Sequence, residues 1–145
     1  MAAMDHADIV RGWAQAAFNQ HDLDAAAQFL APDWVGHWAG LGEEHGVAGF
    51  KGLAGAYLRA FPDMQIRVED ALADGDRIVR RVSWTGTHQG PFLGVAPTGW
   101  RVRGEGIVIM RIADSKIAEE WEVSNLLGLL QQLGAVPPFS LEAAP

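Results

Sequence analysis

Apolar and polar positions follow two different periods along this chain, and the change falls near residue 63. Before it, Ile9, Val10, Trp13, Ala17 and Phe18 recur at helical spacing behind Asp5, whose carboxylate can accept from the free N–H groups of a first turn. Asn19-Gln20-His21-Asp22 breaks this helix. A second, short helix is predicted over residues 23–30, capped by Asp22 and closed off by Pro32. Residues 34–38, W-V-G-H-W, read as a short extended segment, and residues 39–46 as a glycine-bearing loop. A third helix is predicted over 47–60, with Phe50, Leu53, Ala54, Tyr57 and Leu58 on one side and Phe61-Pro62-Asp63 ending it.

Beyond residue 63 the alternation has period two, the mark of strands. Strands are predicted over 64–72, 77–87, 100–112 and 116–123, with turn chemistry at 73–76 and 113–115 and a loop over 90–99. Leu126, Leu127, Leu129, Leu130 and Leu133 form a last short helix stopped by Gly134 and Pro137-Pro138, and residues 139–145 read as a loosely held tail. Helices first and hairpin-linked strands afterwards predict an α+β fold, with helices packed on one side of a curved antiparallel sheet. The whole chain, 1–145, reads as one domain with its core over about 5–136.

The last strand carries three glutamates and admits two readings. Period two puts Ile117, Glu119, Trp121 and Val123 on one face, and Ala118, Glu120, Glu122 and Ser124 on the other. In the first reading the former face is core and the latter meets water, as on many half-buried strands. In the second, the glutamate-bearing face lines a cavity, where a desolvated carboxylate has its pKa raised and exchanges protons near neutrality. The preceding strand carries Gly104 and Gly106 on an otherwise apolar face with Val102, Val108, Met110 and Ile112. Glycines there either permit a bend or mark a close approach to the backbone, and a strongly bent sheet would enclose a cone-shaped pocket.

Composition narrows the functions. A net charge of −7 opposes binding to nucleic acid or to an anionic membrane, and no basic stripe with interleaved aromatics offsets it. With no cysteine there is no disulfide framework, thiol nucleophile or Cys-based metal site. The opening M-A-A-M-D-H-A-D lacks a basic region followed by an apolar run, and no apolar run approaches ~18 residues, so a cytoplasmic, small-molecule-facing protein is expected. Six tryptophans against one tyrosine suit a core or an aromatic-lined cavity equally. His37 and His45 flank Glu43 and Glu44, yet the spacing matches no regular element that would converge them, and no metal site is expected. No G-x-S-x-G elbow or phosphate-binding G-x-x-x-x-G-K-[ST] is present. Cofactor-free acid–base chemistry remains.

The segments G-T-H-Q-G-P-F-L-G-V-A-P-T-G-W-R-V, M-R-I-A-D-S-K-I-A-E-E-W-E and L-L-Q-Q-L-G, with A-F-P-D after the third helix, resemble the SnoaL-like polyketide cyclases, or ester cyclases. The resemblance runs from about Ile9 to Gly134. It implies the nuclear-transport-factor-2-like fold, a curved sheet wrapped around a pocket closed by helices, and dimers formed through the outer sheet face. It also implies closure of a polyketide ring by intramolecular aldol condensation, with no cofactor and with an aromatic or polycyclic ligand. The family's acid–base aspartate, matched without gaps from the K-I turn to the L-G end, falls on Glu122. Glu119 is then structural and Glu120 undecided. Three departures stand out: glutamate replaces aspartate, Val108 stands where some cyclases place a histidine, and Asn125 stands where many members carry an aspartate. Expected pocket walls are Trp34, His37, Trp38, Tyr57, Phe61, Phe92, Val108 and Met110, with Arg81, Ser83 and His88 as hydrogen-bonding candidates. Two alternatives remain: another cofactor-free isomerase or hydrolase on this fold, or a noncatalytic small-molecule binder.

Overall fold

The computed structural model describes residues 5–141; the expectations for the extreme N-terminus and for the end of the tail lie outside the described residues in part. Helix α1 (His6–Ala14) is capped by Asp5, whose side chain accepts from the Ala7 N–H at 2.8 Å, and it continues as a π-helical turn, Gln15–Asn19. Helix α2 (Leu23–Ala27) is capped by Asp22 accepting from Ala25 N–H at 2.9 Å. It is shorter than the pattern predicts, because Leu30 already belongs to strand β1 (Leu30–Trp38). The residues expected to form a loop contain a second strand, β2 (Gly42–His45), hairpinned onto β1. Helix α3 (Gly46–Ala60) follows, then β3 (Gln65–Asp74), β4 (Arg77–Thr87), β5 (Arg101–Ala113), β6 (Lys116–Ser124) and α4 (Leu126–Gln132).

One six-stranded sheet has the order β2-β1-β6-β5-β4-β3. Its pairings are antiparallel except β1 with β6, where the early strand lies parallel to the last one. That crossover brings the helices onto one face. There α1 contributes Ile9, Val10 and Trp13, and α3 contributes Phe50 and Ala54, to a core shared with Ile78, Val108, Met110 and Ile112 of the sheet. A second apolar cluster of Phe61, Met64, Phe92, Val102, Leu129 and Leu133 sits near α4 and the loop before β5. The α+β class and the curved sheet closed by helices are as expected.

Curvature has identifiable sources. Register shifts interrupt the β3/β4 ladder between Val68 and Asp70 and the β5/β6 ladder between Arg111 and Ile112. Each extra residue increases local twist and bends its strand. The second shift also changes phase: Ile117 pairs with Ile112 and is buried, so it leaves the face it would share with Glu119 under strict alternation. At the Asp114-Ser115 turn both residues have positive φ, 49° and 59°, the backbone that matches the twist of a tight hairpin.

Two glycines on the concave face carry aromatic rings. A Cβ at Gly104 would sit 2.1 Å from the Trp84 indole, and one at Gly36 would sit 2.3 Å from the Trp38 ring. The strand glycines thus mark close approach of side chains to the backbone. Replacing Gly104 with Ala is expected to lower unfolding free energy by ~1–3 kcal/mol through overpacking. Gly52 lies on the exposed side of α3 with nothing within 4 Å of an added Cβ, so Ala there should stabilise by ~0.5–1 kcal/mol. Paired denaturant melts of the two variants read this contrast; a neutral Gly104→Ala would contradict the close approach.

Candidate active site

The concave face of the sheet and the helices above it enclose a cavity. Its helical wall is Trp13, Phe50, Leu53, Ala54 and Tyr57, with Phe18 from the π-helical turn. Its sheet wall alternates by period two: Trp38 from β1; Arg80, Val82 and Trp84 from β4; Val108 and Met110 from β5; Glu120 and Glu122 from β6. Met64 and Ile66 close one side. The cavity has a volume of about 70 Å³. Small-molecule pockets usually offer about 300–1,000 Å³. The cavity in this structure falls well short of that range.

The glutamates divide as the second reading of the strand requires. Glu119 points to the outer face, where His37 Nε2 lies 2.8 Å from its carboxylate and Arg111 donates to it at 3.2 Å. His37, then Arg111, hold its carboxyl below the ordinary value. Glu120 and Glu122 point inward. Glu122 is half-buried and accepts a hydrogen bond from the Trp38 indole N–H at 3.0 Å. Burial raises its pKa, tempered by the Trp38 donor and the Arg80 charge. Glu120 is only 2% exposed, and its Oε2 has no hydrogen-bond partner. Burial, then the neighbouring Glu122 charge, raises its pKa to about 8 against the pull of Arg80. Desolvation dominates both, and at Glu120 the Glu122 charge adds to it. Tyr57 is raised as well, by burial and then by Glu122.

Of the predicted pocket residues, Trp38, Tyr57, Val108, Met110 and Glu122 lie on the cavity wall. Trp34 is fully buried behind it, its ring 5.6 Å from Trp38. Phe61 and Phe92 belong instead to the second cluster, where their ring centroids lie 5.3 Å apart. His88 is buried as well, packed on Phe61, with its Nδ1 accepting from the Thr98 N–H at 3.1 Å. The loop before β5 closes over it, so it braces that loop and does not reach the cavity.

His37, Arg81 and Ser83 are corrections of a different kind, because each occupies the outward phase of its strand. His37 stacks on Trp121 at 5.5 Å. Arg81 pairs with Asp70 at 2.7 Å, and Ser83 donates to Glu69 at 2.6 Å. The hairpin also draws together residues whose spacing had suggested no convergence: Glu43 lies 2.9 Å from His37 and 2.7 Å from His45. Among the described residues, however, no group of three or more His, Asp or Glu is arranged to hold a metal ion.

Arg80 is the ionisable wall residue that sequence reasoning passed over, along with apolar ones such as Trp13, Phe50 and Trp84. Its signal was present, since Ile78, Val82 and Trp84 fix the inward phase of β4 and Arg80 shares it. The guanidinium is 3% exposed and lies 5.8 Å over the Trp13 ring. Burial lowers its pKa to about 10, offset by Glu120 and Glu122, so it stays charged at neutral pH.

Such a cone, apolar except for ionisable groups on one wall, defines a small-molecule pocket of the nuclear-transport-factor-2-like type. The SnoaL-like polyketide cyclase family profile matches residues 8–133, and this chain belongs to that family. It is 33% identical over 129 residues to nogalonic acid methyl ester cyclase of Streptomyces nogalater, covering 81% of this chain and 90% of the relative. To aklanonic acid methyl ester cyclase DnrD of Streptomyces peucetius it is 30% identical, covering 88% and 89%. The crystal structure of AclR, a proposed hydroxylase from Streptomyces galilaeus, superposes with a TM-score of 0.83 at 34% identity, covering 94% of this chain and 85% of that one.

The Glu120 shift has a measurable consequence. An acid whose pKa is raised by folding binds its proton more tightly in the native state, so stability is fully present below about 4.5 and declines as pH rises toward about 8. Replacing Glu120 with Gln should remove one proton's share of that decline, about 1.4 kcal/mol per pH unit between the two values, seen as a smaller drop in thermal midpoint between pH 5 and 9. Parallel pH–stability curves for the two proteins would mean that Glu120 is not held protonated.

Proposed function

We propose that this protein is a cofactor-independent, aldol-type cyclase of a polyketide-like small molecule, with Glu122 as its acid–base group. The observation that carries the reading is the Glu122 carboxylate facing an apolar cavity while holding one donor, the Trp38 N–H. Family membership and the methyl ester cyclases among its relatives support the substrate class.

In this mechanism ionised Glu122 removes a proton from a carbon flanked by two carbonyls. The C–H electron pair becomes an enolate, and its carbon attacks a ketone of the same molecule to form the ring bond. The alkoxide so formed takes the proton back from Glu122. The Trp38 hydrogen bond and the Arg80 charge work against neutralisation of Glu122 by burial, and a raised pKa makes it a more effective base near neutrality. Aromatic walls hold the substrate folded, so that attack is intramolecular and the entropy of bringing the reactants together is met on binding.

The similarity to AclR supports a second reading, oxygenation of a related substrate, which turnover would reveal as gain of an oxygen atom. A homodimer through the outer sheet face is part of the proposal, supported by the exposure of Ile107 and Val123 there. Cytoplasmic residence goes with it.

Turnover of an anthraquinone-type polyketide methyl ester tests the reading. Folded Glu122→Gln should close the ring ~10²–10⁴-fold more slowly than the wild type, the usual contribution of a positioned acid–base group. Equal rates would remove Glu122 from the chemistry. Trp38→Phe should raise the Glu122 pKa further and move the acidic limb of the pH–rate profile to higher pH, since the ionised carboxylate loses its donor.

A further inference from the structure

The pocket holds polar groups that proton transfer by Glu122 leaves unused. Arg80 is buried, and its Nε and Nη1 have no hydrogen-bond partner. Glu120 is buried beside it with Oε2 unpartnered. Natural structures seldom leave such groups unmatched, and here they line a cavity open to a ligand. Their placement follows from register. Arg80 pairs with Val108, Val108 pairs with Glu122, and Met110 pairs with Glu120. The three ionisable side chains therefore rise from β4 and β6 on one concave face, separated by the apolar side chains of β5.

We propose that Arg80 and Glu120 form the oxyanion-binding end of the pocket, holding the enolate oxygen of the substrate while Glu122 carries the abstracted proton. The inference rests on the aldol reading given above. In the step itself, the C–H bond breaks, its proton goes to Glu122, and its electron pair delocalises onto the carbonyl oxygen. That oxygen accepts from the free Arg80 N–H groups and from the carboxyl O–H of Glu120. Glu120 is suited to donate because it keeps its proton at neutral pH. Three further groups face this end: Tyr57, whose hydroxyl also stays protonated, the Trp38 N–H, which is occupied by Glu122, and the Trp34 N–H, which acts on Glu120.

Charge conservation favours this assignment over recognition of a substrate carboxylate. Before reaction the pocket contains one cation, Arg80, and one anion, Glu122. Abstraction moves the negative charge from Glu122 to the enolate oxygen without changing the total, so Arg80 is balanced throughout. A substrate carboxylate would add a second anion to a desolvated site, at high cost. A neutral ester meets no such penalty.

The test is binding, without turnover, of 2-hydroxy-1,4-naphthoquinone, whose anion spreads one charge over two oxygens as an enolate does. The neutral control is 2-methoxy-1,4-naphthoquinone, of nearly the same shape. Glu122→Gln is the reference protein, because a neutral residue there leaves Arg80 without its counter-charge, as it is once Glu122 carries the abstracted proton. It should prefer the anion by about tenfold or more at pH 6, as charge-assisted hydrogen bonds predict, whereas the wild type, with Glu122 ionised, should show a smaller preference. Adding Arg80→Met should cost about tenfold in anion affinity while changing the neutral control less than about threefold, the pattern of a lost charge contact. Adding Glu120→Gln, which keeps a donor, should retain the preference, and adding Glu120→Leu should weaken it. Equal affinity of Glu122→Gln for the two quinones overturns the proposal, and so does an Arg80→Met double variant that loses both alike. If the Arg80→Met protein does not fold, the Glu122→Gln ratio and the Glu120 pair still decide. Ring closure by wild type against Glu122→Gln tests the aldol reading separately, because the anion preference is read without turnover.

Discussion

Three ionisable side chains, Arg80, Glu120 and Glu122, share one apolar cone, and their charges must balance with little help from water. This constraint orders the rest of the site. Two carboxylates and one guanidinium can reach neutrality only if one carboxylate keeps its proton. Burial raises the pKa of both, the Glu122 charge raises Glu120 further, and the Trp38 N–H works the other way on Glu122. The strand register that places these groups therefore also sets how differently the two carboxyls are shifted.

The aromatic residues keep that arrangement dry. Trp13 and Phe50 descend from the helices, and Trp38 and Trp84 stand on the sheet wall. Large rings fit there because glycines beneath them remove the Cβ they would otherwise meet: Gly36 under Trp38 and Trp34, Gly104 under Trp84. Glycine in a strand weakens it, and here the loss is offset by burial of indole surface against the backbone. The outer face of the same sheet is chemically separate. His37, Glu43 and Glu119 satisfy one another there, as do Arg81 with Asp70 and Ser83 with Glu69.

Two positions that the resemblance marks as departures have a plain structural setting. Val108 is the direct cross-strand neighbour of both Arg80 and Glu122. Its side chain supplies no hydrogen bond, and the ionisable groups of this sheet wall are Arg80, Glu120 and Glu122. Asn125 caps α4 by accepting from the Gly128 N–H at 2.9 Å, a task an aspartate performs equally well. That change has no need of a catalytic explanation.

The sequence by itself determined the α+β class, the long strands, the three main helices and the family, because period and end-capping are local properties that neighbours along the chain impose on one another. Arg77–Thr87 was legible to the residue, since its alternation is strong and both ends carry turn chemistry. Strand β2 was not: G-E-E-H has no apolar face and becomes a strand only through pairing with β1. The parallel β1/β6 contact was equally hidden, for it joins residues about eighty positions apart. Period two separated Glu119 from Glu120 and Glu122 correctly, yet it could not say which face was enclosed, and it assigned Ile117 to the wrong face because the bulge beside it shifts the phase. Alternation with Ile78, Val82 and Trp84 already separates the phase of Arg80 from that of Arg81. Only the folding of the sheet around the helices turned the Arg80 phase into the wall of an enclosed cavity, because burial is a property of the closed fold and of no single strand.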